Sequence, residues 1–452
     1  MKPPAPHRAQ PARPGSARRP AGDGGVSLDL SRFHENPARE LATLAMHMRP
    51  IMRVSTGRSA FIHIGHPDTA RHVLQTNTAN YSKDFSPFAP LVGDSLLAAN
   101  GEKWRALRTR MQPAFAPSRF RTVAPKAIAA IDRVIDGWMP AVGGGKPIDG
   151  MPGMVAATVE FIATALFSLP DDFVTRHDIE AIEVALEHGG RAMHFGAAMG
   201  EDVKRRFRVA IGELDKMAAR AVAIRRAETV KPDDLLTLLI DAHDDPDFPE
   251  MTDKQLRDEI VTFLLTGHET TATALGWTLR HMSRHPAVLA KMREEVLALG
   301  NEAPGYDDLK KLPYTTAVFY ESMRLRPAVP LLIRVADQDD EIGGMPIRAG
   351  IRVGVSILGI HHHPDFWPEA AKFRPERFLD ATERQPGSYL AFSAGARSCI
   401  GSRLAMIEAP LFLSRLVQRV RLAPAQNPPL VSLSVVTLRP KAGQLIKVER
   451  WD

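Results

Sequence analysis

Cysteine occurs once in the 452 residues, so no intrachain disulfide can form and a disulfide-stapled secreted scaffold is excluded. The sequence also lacks any uncharged apolar run long enough to cross a membrane, and it lacks the apolar core of a signal peptide. No Ser/Gly-rich linker and no internal repeat interrupts it, which excludes a string of modules and a solenoid. Positive charge is scarce in the body despite a formal net charge of +6. Lys2, Arg8, Arg13, Arg18 and Arg19, with no acid among residues 1–22, hold five of those six charges. The rest is nearly neutral, which argues against a nucleic-acid partner. The same stretch has six prolines and hardly any large apolar residue, too little to offset chain entropy. Residues 1–25 are therefore expected to be a disordered, basic, proline-rich tail. Those prolines also spoil an amphipathic transit helix. A soluble, cytoplasmic protein with no membrane anchor is the expectation.

What the chain does have is an ordinary globular composition, 44% hydrophobic and 24% charged. One domain is expected over residues 26–452. Residues 102–300 read mostly as helices, including IAAIDRVIDGWM, the segment from Phe161 to Arg226, and a long run from Thr252 to Arg284. In that run Ile260, Phe263, Leu264, Gly267, Thr271, Ala274 and Leu275 recur at three- and four-residue steps, with Thr252 as N-cap ahead of Gln255. Its length predicts a helix crossing the whole molecule. Strand-like pieces lie near Phe61 to Ile64, Leu331 to Ala336 and Ile347 to Ile357, with turns at Gly343, Gly344 and Gly350. The fold class is thus mainly α with a smaller β-rich region.

The one thiol, Cys399, stands in FSAGARSCIG just before an amphipathic helix beginning LAMIEAPLFLSRLVQRV. An isolated cysteine is usually a small buried hydrophobe. Here Gly395 and Gly401 allow close backbone approach, and the following helix places N–H groups and partial positive charge near the sulfur, favouring thiolate. A stabilised thiolate is a nucleophile or a metal ligand. No histidine lies in the segment to activate a nucleophile, although a distant one could fold in. A single metal ligand suits a metal that brings its other ligands with it, as haem iron does.

At this point the residues resemble a family. Phe392, Gly395, Arg397, Cys399 and Gly401 stand in the spacing F-x-x-G-x-R-x-C-x-G, similar to the haem-binding loop of cytochromes P-450. TGHETT at 266–271 resembles that family's oxygen-activating sequence on the long helix. ESMR at 321–324 is similar to its E-x-x-R, FRPERF at 373–378 to the segment that follows, and WRALR at 104–108 to its W-x-x-x-R. The resemblance covers roughly residues 26 to 450. It implies the cytochrome P-450 fold, with haem b between the long central helix and the helix after the cysteine loop. It makes Cys399 the axial ligand to iron, Phe392 and Gly401 neighbours of the haem, and Trp104, Arg108, Arg334 and Arg397 the holders of the propionates. Arginine suits a carboxylate because its planar fork donates two parallel hydrogen bonds.

Glu321 and Arg324 lie three residues apart on one helix face and can pair. The resemblance adds Arg377 and implies a buried structural network that fixes the cysteine loop. Glu269 and Thr270 are the expected catalytic pair. A mid-helix threonine ordinarily bonds the carbonyl four residues back, here Thr266, and loosens the helix. Such loosening beside Gly267 would open a groove for O2, with Thr270 and water delivering protons and Glu269 passing them from solvent. Thr266 stands where the family often has alanine, a departure that could narrow the pocket.

HHHP at 361–364 is read as structural, because three consecutive histidines diverge on any regular backbone. Segment 102–126 holds seven basic residues against Glu102, and the resemblance places it near the proximal haem face. Docking of an acidic ferredoxin or flavodoxin, supplied by its reductase, is the expectation. The resemblance also implies a substrate pocket, with Phe85, Phe88, Leu96, Phe263, Thr266, Leu332 and Val436 as its candidate lining and a lipophilic substrate of the fatty-acid, terpenoid or steroid-like kind. A monomeric monooxygenase is expected. A peroxide-driven peroxygenase, a non-catalytic haem sensor or carrier, and a cysteine-nucleophile hydrolase are the rival readings.

Overall fold

The computed structural model describes residues 26–27, 40, 43–44, 49–55, 60–195, 200–380, 382, 384–426, 432–434, 437–440 and 443–451. The basic tail and Val436 lie outside them. Ten longer helices carry the described chain: α1 (Gly101–Met111), α2 (Ala124–Trp138), α3 (Met151–Phe167), α4 (Arg176–Phe195), α5 (Glu201–Ala227), α6 (Leu235–Asp244), α7 (Asp253–Arg284), α8 (Pro286–Leu297), α9 (Pro313–Leu325) and α10 (Ser402–Arg419).

α7 is the 32-residue helix the periodicity predicts, and Thr252 caps it by accepting from the Gln255 N–H at 3.2 Å. The helix is buried on nearly all sides, so its apolar residues face several neighbours. α3 lies along it. Gly276 admits the Met151 sulfur, and a Cβ at Gly267 would sit 3.0 Å from the Ile162 side chain. Gly267 therefore serves the close approach of α3 to α7. The space a side chain at Gly267 would take is filled by Ile162. One large apolar cluster joins α2, α3, α7, α9 and α10.

The β-rich region is a six-stranded sheet built from β1 (Val26–Ser27), β2 (Ile51–Ser55), β3 (Ala60–Ile64), β4 (Tyr81–Ser82), β6 (Leu331–Ala336) and β9 (Arg352–Ser356). Its order is β1-β2-β3-β9-β6-β4, with β6 antiparallel to β9. Smaller sheets pair β10 (Arg421–Pro424), β13 (Leu445–Glu449) and β5 (Ile148–Asp149), β7 (Asp340–Ile342) with β8 (Met345–Ile347), and β11 (Ser432–Ser434) with β12 (Leu438–Pro440). The predicted turns hold: Gly343, Gly344 and Gly350 all take positive φ. The predicted strand ending at Ile357 stops one residue earlier, where Ser356 caps a short helix by accepting from the Gly359 N–H.

Candidate active site

The cysteine loop closes on itself before α10. The Cys399 N–H donates to the Phe392 carbonyl at 2.9 Å and the Ser398 N–H to the Gly395 carbonyl at 3.0 Å. Gly395 adopts φ 72°, and a Cβ there would lie 2.0 Å from the Leu74 carbonyl oxygen. Its missing side chain admits the Leu74 backbone, the close backbone approach expected of a glycine here. Gly401 has open space, with only the Cys399 sulfur within 4 Å.

Cys399 opens onto a cleft, although protein encloses its sulfur closely. Burial pushes its thiol up. The N–H groups of Gly401 and Ser402 and the charges of Arg108 and Lys83 pull it down without reversing the shift. The helix-terminus effect predicted from sequence is present, but desolvation outweighs it. A metal ion bound at the sulfur would favour the thiolate.

Four cations share this cleft. Arg108 donates to the Ser398 carbonyl at 3.1 Å, Arg334 to the Ile333 carbonyl at 2.8 Å, Arg397 to the Ala99 carbonyl at 2.7 Å, and Lys83 Nζ to the Leu97 carbonyl at 3.0 Å. The Arg397 guanidinium lies over the Trp104 ring, 4.3 Å from its centroid. Among the described residues none of the four pairs with a carboxylate. Arg334 is only 4% exposed. Burial, then Arg334, Arg397 and Arg108, drive Lys83 down to about 7. Burial and Arg397 hold Arg334 at about 10, and burial and Arg105 hold Arg397 at about 10. Like charges crowded in a desolvated cleft are costly without a counter-ion. The donor set therefore fits an anion with two carboxylates beside a thiolate-ligated metal, the chemistry of haem with its propionates. Lys83 was not legible in the sequence; it stands in YSKDFS, which carries no motif, and only the fold brings it to the arginines.

α7 carries Glu269 and Thr270. Thr270 Oγ1 donates to the Thr266 carbonyl at 2.9 Å, the predicted back-bond, and Thr266 Oγ1 does the same to Thr262 at 2.7 Å. The Thr266 hydroxyl is thus satisfied within the helix. Glu269 is buried: one carboxylate oxygen accepts from Thr437 Oγ1 at 2.8 Å and the other lies 3.6 Å from the Arg439 guanidinium. Arg439 also donates to Glu183 on α4 at 3.0 Å. Thr437 and Arg439 had no signal in the sequence, being some 170 residues from Glu269 and brought to it by β12.

Glu321 and Arg324 on α9 are both fully buried and paired by two hydrogen bonds, of 2.6 and 2.8 Å. Arg377 approaches Glu321 at 3.4 Å, a looser third member that also donates to the Glu369 carbonyl. Arg324 donates to the His361 carbonyl, and His361 Nε2 accepts from the Leu390 N–H at 2.8 Å, just ahead of the cysteine loop. Burial holds His361 at about 3, so it is neutral and an acceptor. The structural reading of HHHP fits this arrangement, and no cluster of metal-ligating groups exists among the described residues.

The candidate pocket residues are less gathered than expected. Phe88 packs into the notch left by Gly189 of α4 and lies 6.3 Å from Phe85, ring to ring. Leu96 is held by its N–H donating to Glu259 of α7 at 2.9 Å, and Phe263 packs on Phe115. Leu332 belongs to the apolar cluster of the sheet. The basic segment is mostly neutralised: Lys103, Arg110, Arg119 and Arg121 pair with Asp94, Asp245, Asp233 and Asp307 on other elements, and Arg108 points to the cysteine loop. Arg105, Arg108 and Lys126 are left without an ion pair among the described residues, so four of the seven charges expected to steer a partner are paired within the protein.

A family model described as Cytochrome P450 matches residues 25–447. The chain belongs to the cytochrome P-450 family. It is 30% identical to the cyclooctat-9-en-7-ol 5-monooxygenase of Streptomyces melanosporofaciens, over 93% of each chain. It is also 30% identical to the protein LUTEIN DEFICIENT 5, chloroplastic, of Arabidopsis thaliana, over 85% of this chain and 69% of that one. Human cytochrome P-450 4F8 is 29% identical, over 86% and 81%. The crystal structure of the cytochrome P-450DA heme domain superposes with a TM-score of 0.81 at 23% identity, covering 94% and 93% of the two chains, and so shares the fold. Haem is the cofactor of this cytochrome P-450, and its chemistry is that of an oxygen-incorporating oxidoreductase that uses O2, a substrate and a redox partner. No described helix is long and apolar enough to cross a membrane.

Proposed function

We propose that residues 26–452 form one haem domain that inserts an oxygen atom into a lipophilic small molecule, with Cys399 as the axial ligand. The single observation that carries this assignment is the cleft itself, where the only thiol stands among four cations that have no carboxylate partner. Bound there, haem supplies the binding and activation of O2. Arg108, Arg334, Arg397 and Lys83 hold its propionates, Trp104 supports Arg397, and Phe392 and Gly401 shape the loop beneath it.

Thr270, by giving up its bond to the Thr266 carbonyl, would hold a water, and Glu269 would pass protons to it. Phe85, Phe88, Leu96 and Phe263 line the apolar side, and substrates such as fatty acids, terpenoids or steroid-like molecules suit that lining. The cyclooctat-9-en-7-ol 5-monooxygenase supports this class. Electrons come from a separate ferredoxin or flavodoxin, with Arg105, Lys126 and Arg403 as its candidate contacts. The last of these is exposed at the start of α10 and likewise has no ion pair among the described residues. The protein is read as a cytoplasmic monomer.

The deciding experiment compares the purified protein with Cys399→Ser and Thr270→Ala. The parent is expected to show the red-shifted carbon monoxide band of thiolate ligation, and Cys399→Ser to lose it. Thr270→Ala is expected to keep the band, consume O2, and form less product per electron pair. Full product formation by Thr270→Ala with hydrogen peroxide alone would replace the monooxygenase reading with a peroxygenase.

A further inference from the structure

Asn100, the residue before α1, makes contacts out of proportion to an exposed loop position. Its Oδ1 accepts from Arg397 Nη2 at 3.0 Å and from the Lys83 N–H at 2.9 Å. Its Nδ2 donates back to the Lys83 carbonyl at 2.9 Å and to the Ala98 carbonyl at 3.3 Å. The neighbouring carbonyls of Leu97 and Ala99 take the Lys83 ammonium and the second Arg397 nitrogen. Two of the four cations are therefore aimed by one turn of chain, 97–100, with Asn100 tying the two together.

We propose that Asn100 is a positioning residue for the haem propionates: its side-chain amide orients Arg397 and Lys83 while leaving their charge free for the ligand. The choice of amide over acid carries the argument. An aspartate would accept the same bonds from Arg397 and the Lys83 N–H, but its charge would lie against the guanidinium and compete with the propionates. An amide also satisfies the Lys83 carbonyl, which a carboxylate cannot do because it donates nothing. A neutral two-way hydrogen-bonding group is what a cation cluster needs if it is to be held apart and stay unneutralised. The four cations without a carboxylate partner are the complementary observation.

The inference rests on the assignment of those cations to the propionates, and the experiment separates the two. Haemin and its dimethyl ester, which lacks the two carboxylates, are titrated into haem-depleted full-length protein. The parent is expected to prefer the diacid. Asn100→Ala is expected to narrow that preference by loss of orientation. Asn100→Asp is expected to narrow it further, by up to about fivefold, the scale of a partly exposed charge pair, while binding the ester much as the parent does. Far-UV circular dichroism shows which variants are folded, and either variant alone decides. A diacid-to-ester ratio equal to the parent's in a folded variant overturns the role of Asn100. If the parent itself shows no preference, the propionate assignment fails first and the role of Asn100 falls with it.

Discussion

Two groups of basic residues in this molecule behave in opposite ways. Glu321, Arg324 and Arg377 form a matched set, with every strong bond made inside the protein and both Glu321 and Arg324 fully buried. Lys83, Arg108, Arg334 and Arg397 form an unmatched set, all pushed down in affinity for their protons by burial, with Lys83 and Arg334 lowered further by their cationic neighbours. The first is closed and holds the fold. The second is open and fits an anion that the polypeptide does not contain. What separates a structural cluster from a binding cluster here is whether the counter-charge is protein.

The largest effect should come from breaking the matched set. Glu321→Ala or Arg324→Ala strands a fully buried charge, costing about 3–5 kcal/mol, and protein with normal haem content should not be recovered. Haem-to-protein ratio and thermal unfolding check this. A folded, fully haem-loaded Arg324→Ala would put the matched set on the same footing as the other.

A smaller effect of opposite sign is expected from the unmatched set. Arg334→Met removes a buried charge that has no carboxylate partner, so the haem-free protein should gain about 1–2 kcal/mol. The same variant should bind haem about tenfold more weakly, the worth of a charge-assisted hydrogen bond. Denaturant unfolding of the haem-free protein and haem titration measure the two. If the variant loses stability without haem, Arg334 has a structural role and the contrast between the two clusters fails.

The smallest effect is a pH dependence. Folded Lys83 gives up its proton at about 7, whereas its ordinary value is 10.5. Between those values the unfolded chain binds more protons than the folded one, so stability rises with pH. Glu259 contributes the opposite slope, because burial holds it at about 8 and its contribution is lost as pH rises from its ordinary value of 4.5 toward 8. The Lys83 slope is therefore read above pH 8. Melting temperatures of the haem-free protein should climb from pH 8 to 9, below the range where Tyr81, Tyr314 and Tyr389, all pushed up by burial, add the opposite slope, and the climb should flatten once haem propionates keep Lys83 charged. An equal slope with and without haem would remove Lys83 from the anion site.

Much of the fold and of this contrast was legible in the sequence, but unevenly. The long helix, its cap at Thr252 and the strand Leu331–Ala336 follow from local periodicity and turn chemistry, which the tertiary structure had no reason to override. Cys399, Arg397 and the Glu321-Arg324 pair were visible because their spacing is short and fixed. Lys83, Asn100, Thr437 and Arg439 were invisible because each meets its partner across a long sequence separation. Gly395 yields to Leu74 and Gly267 to Ile162, and no sequence pattern says which neighbour will fill the space.

By itself, then, the sequence determined the family, the haem, the lone thiol beside an arginine, and the acid-alcohol pair on the central helix. Only the tertiary structure decided which basic residues are neutralised. Lys103, Arg110, Arg119 and Arg121 found acids on distant elements, while Lys83, Arg108, Arg334 and Arg397 were left facing the thiol without one. The reason is that charge pairing depends on distance in space, falling off steeply with separation and strengthening with burial, and neither quantity is written in the order of the residues.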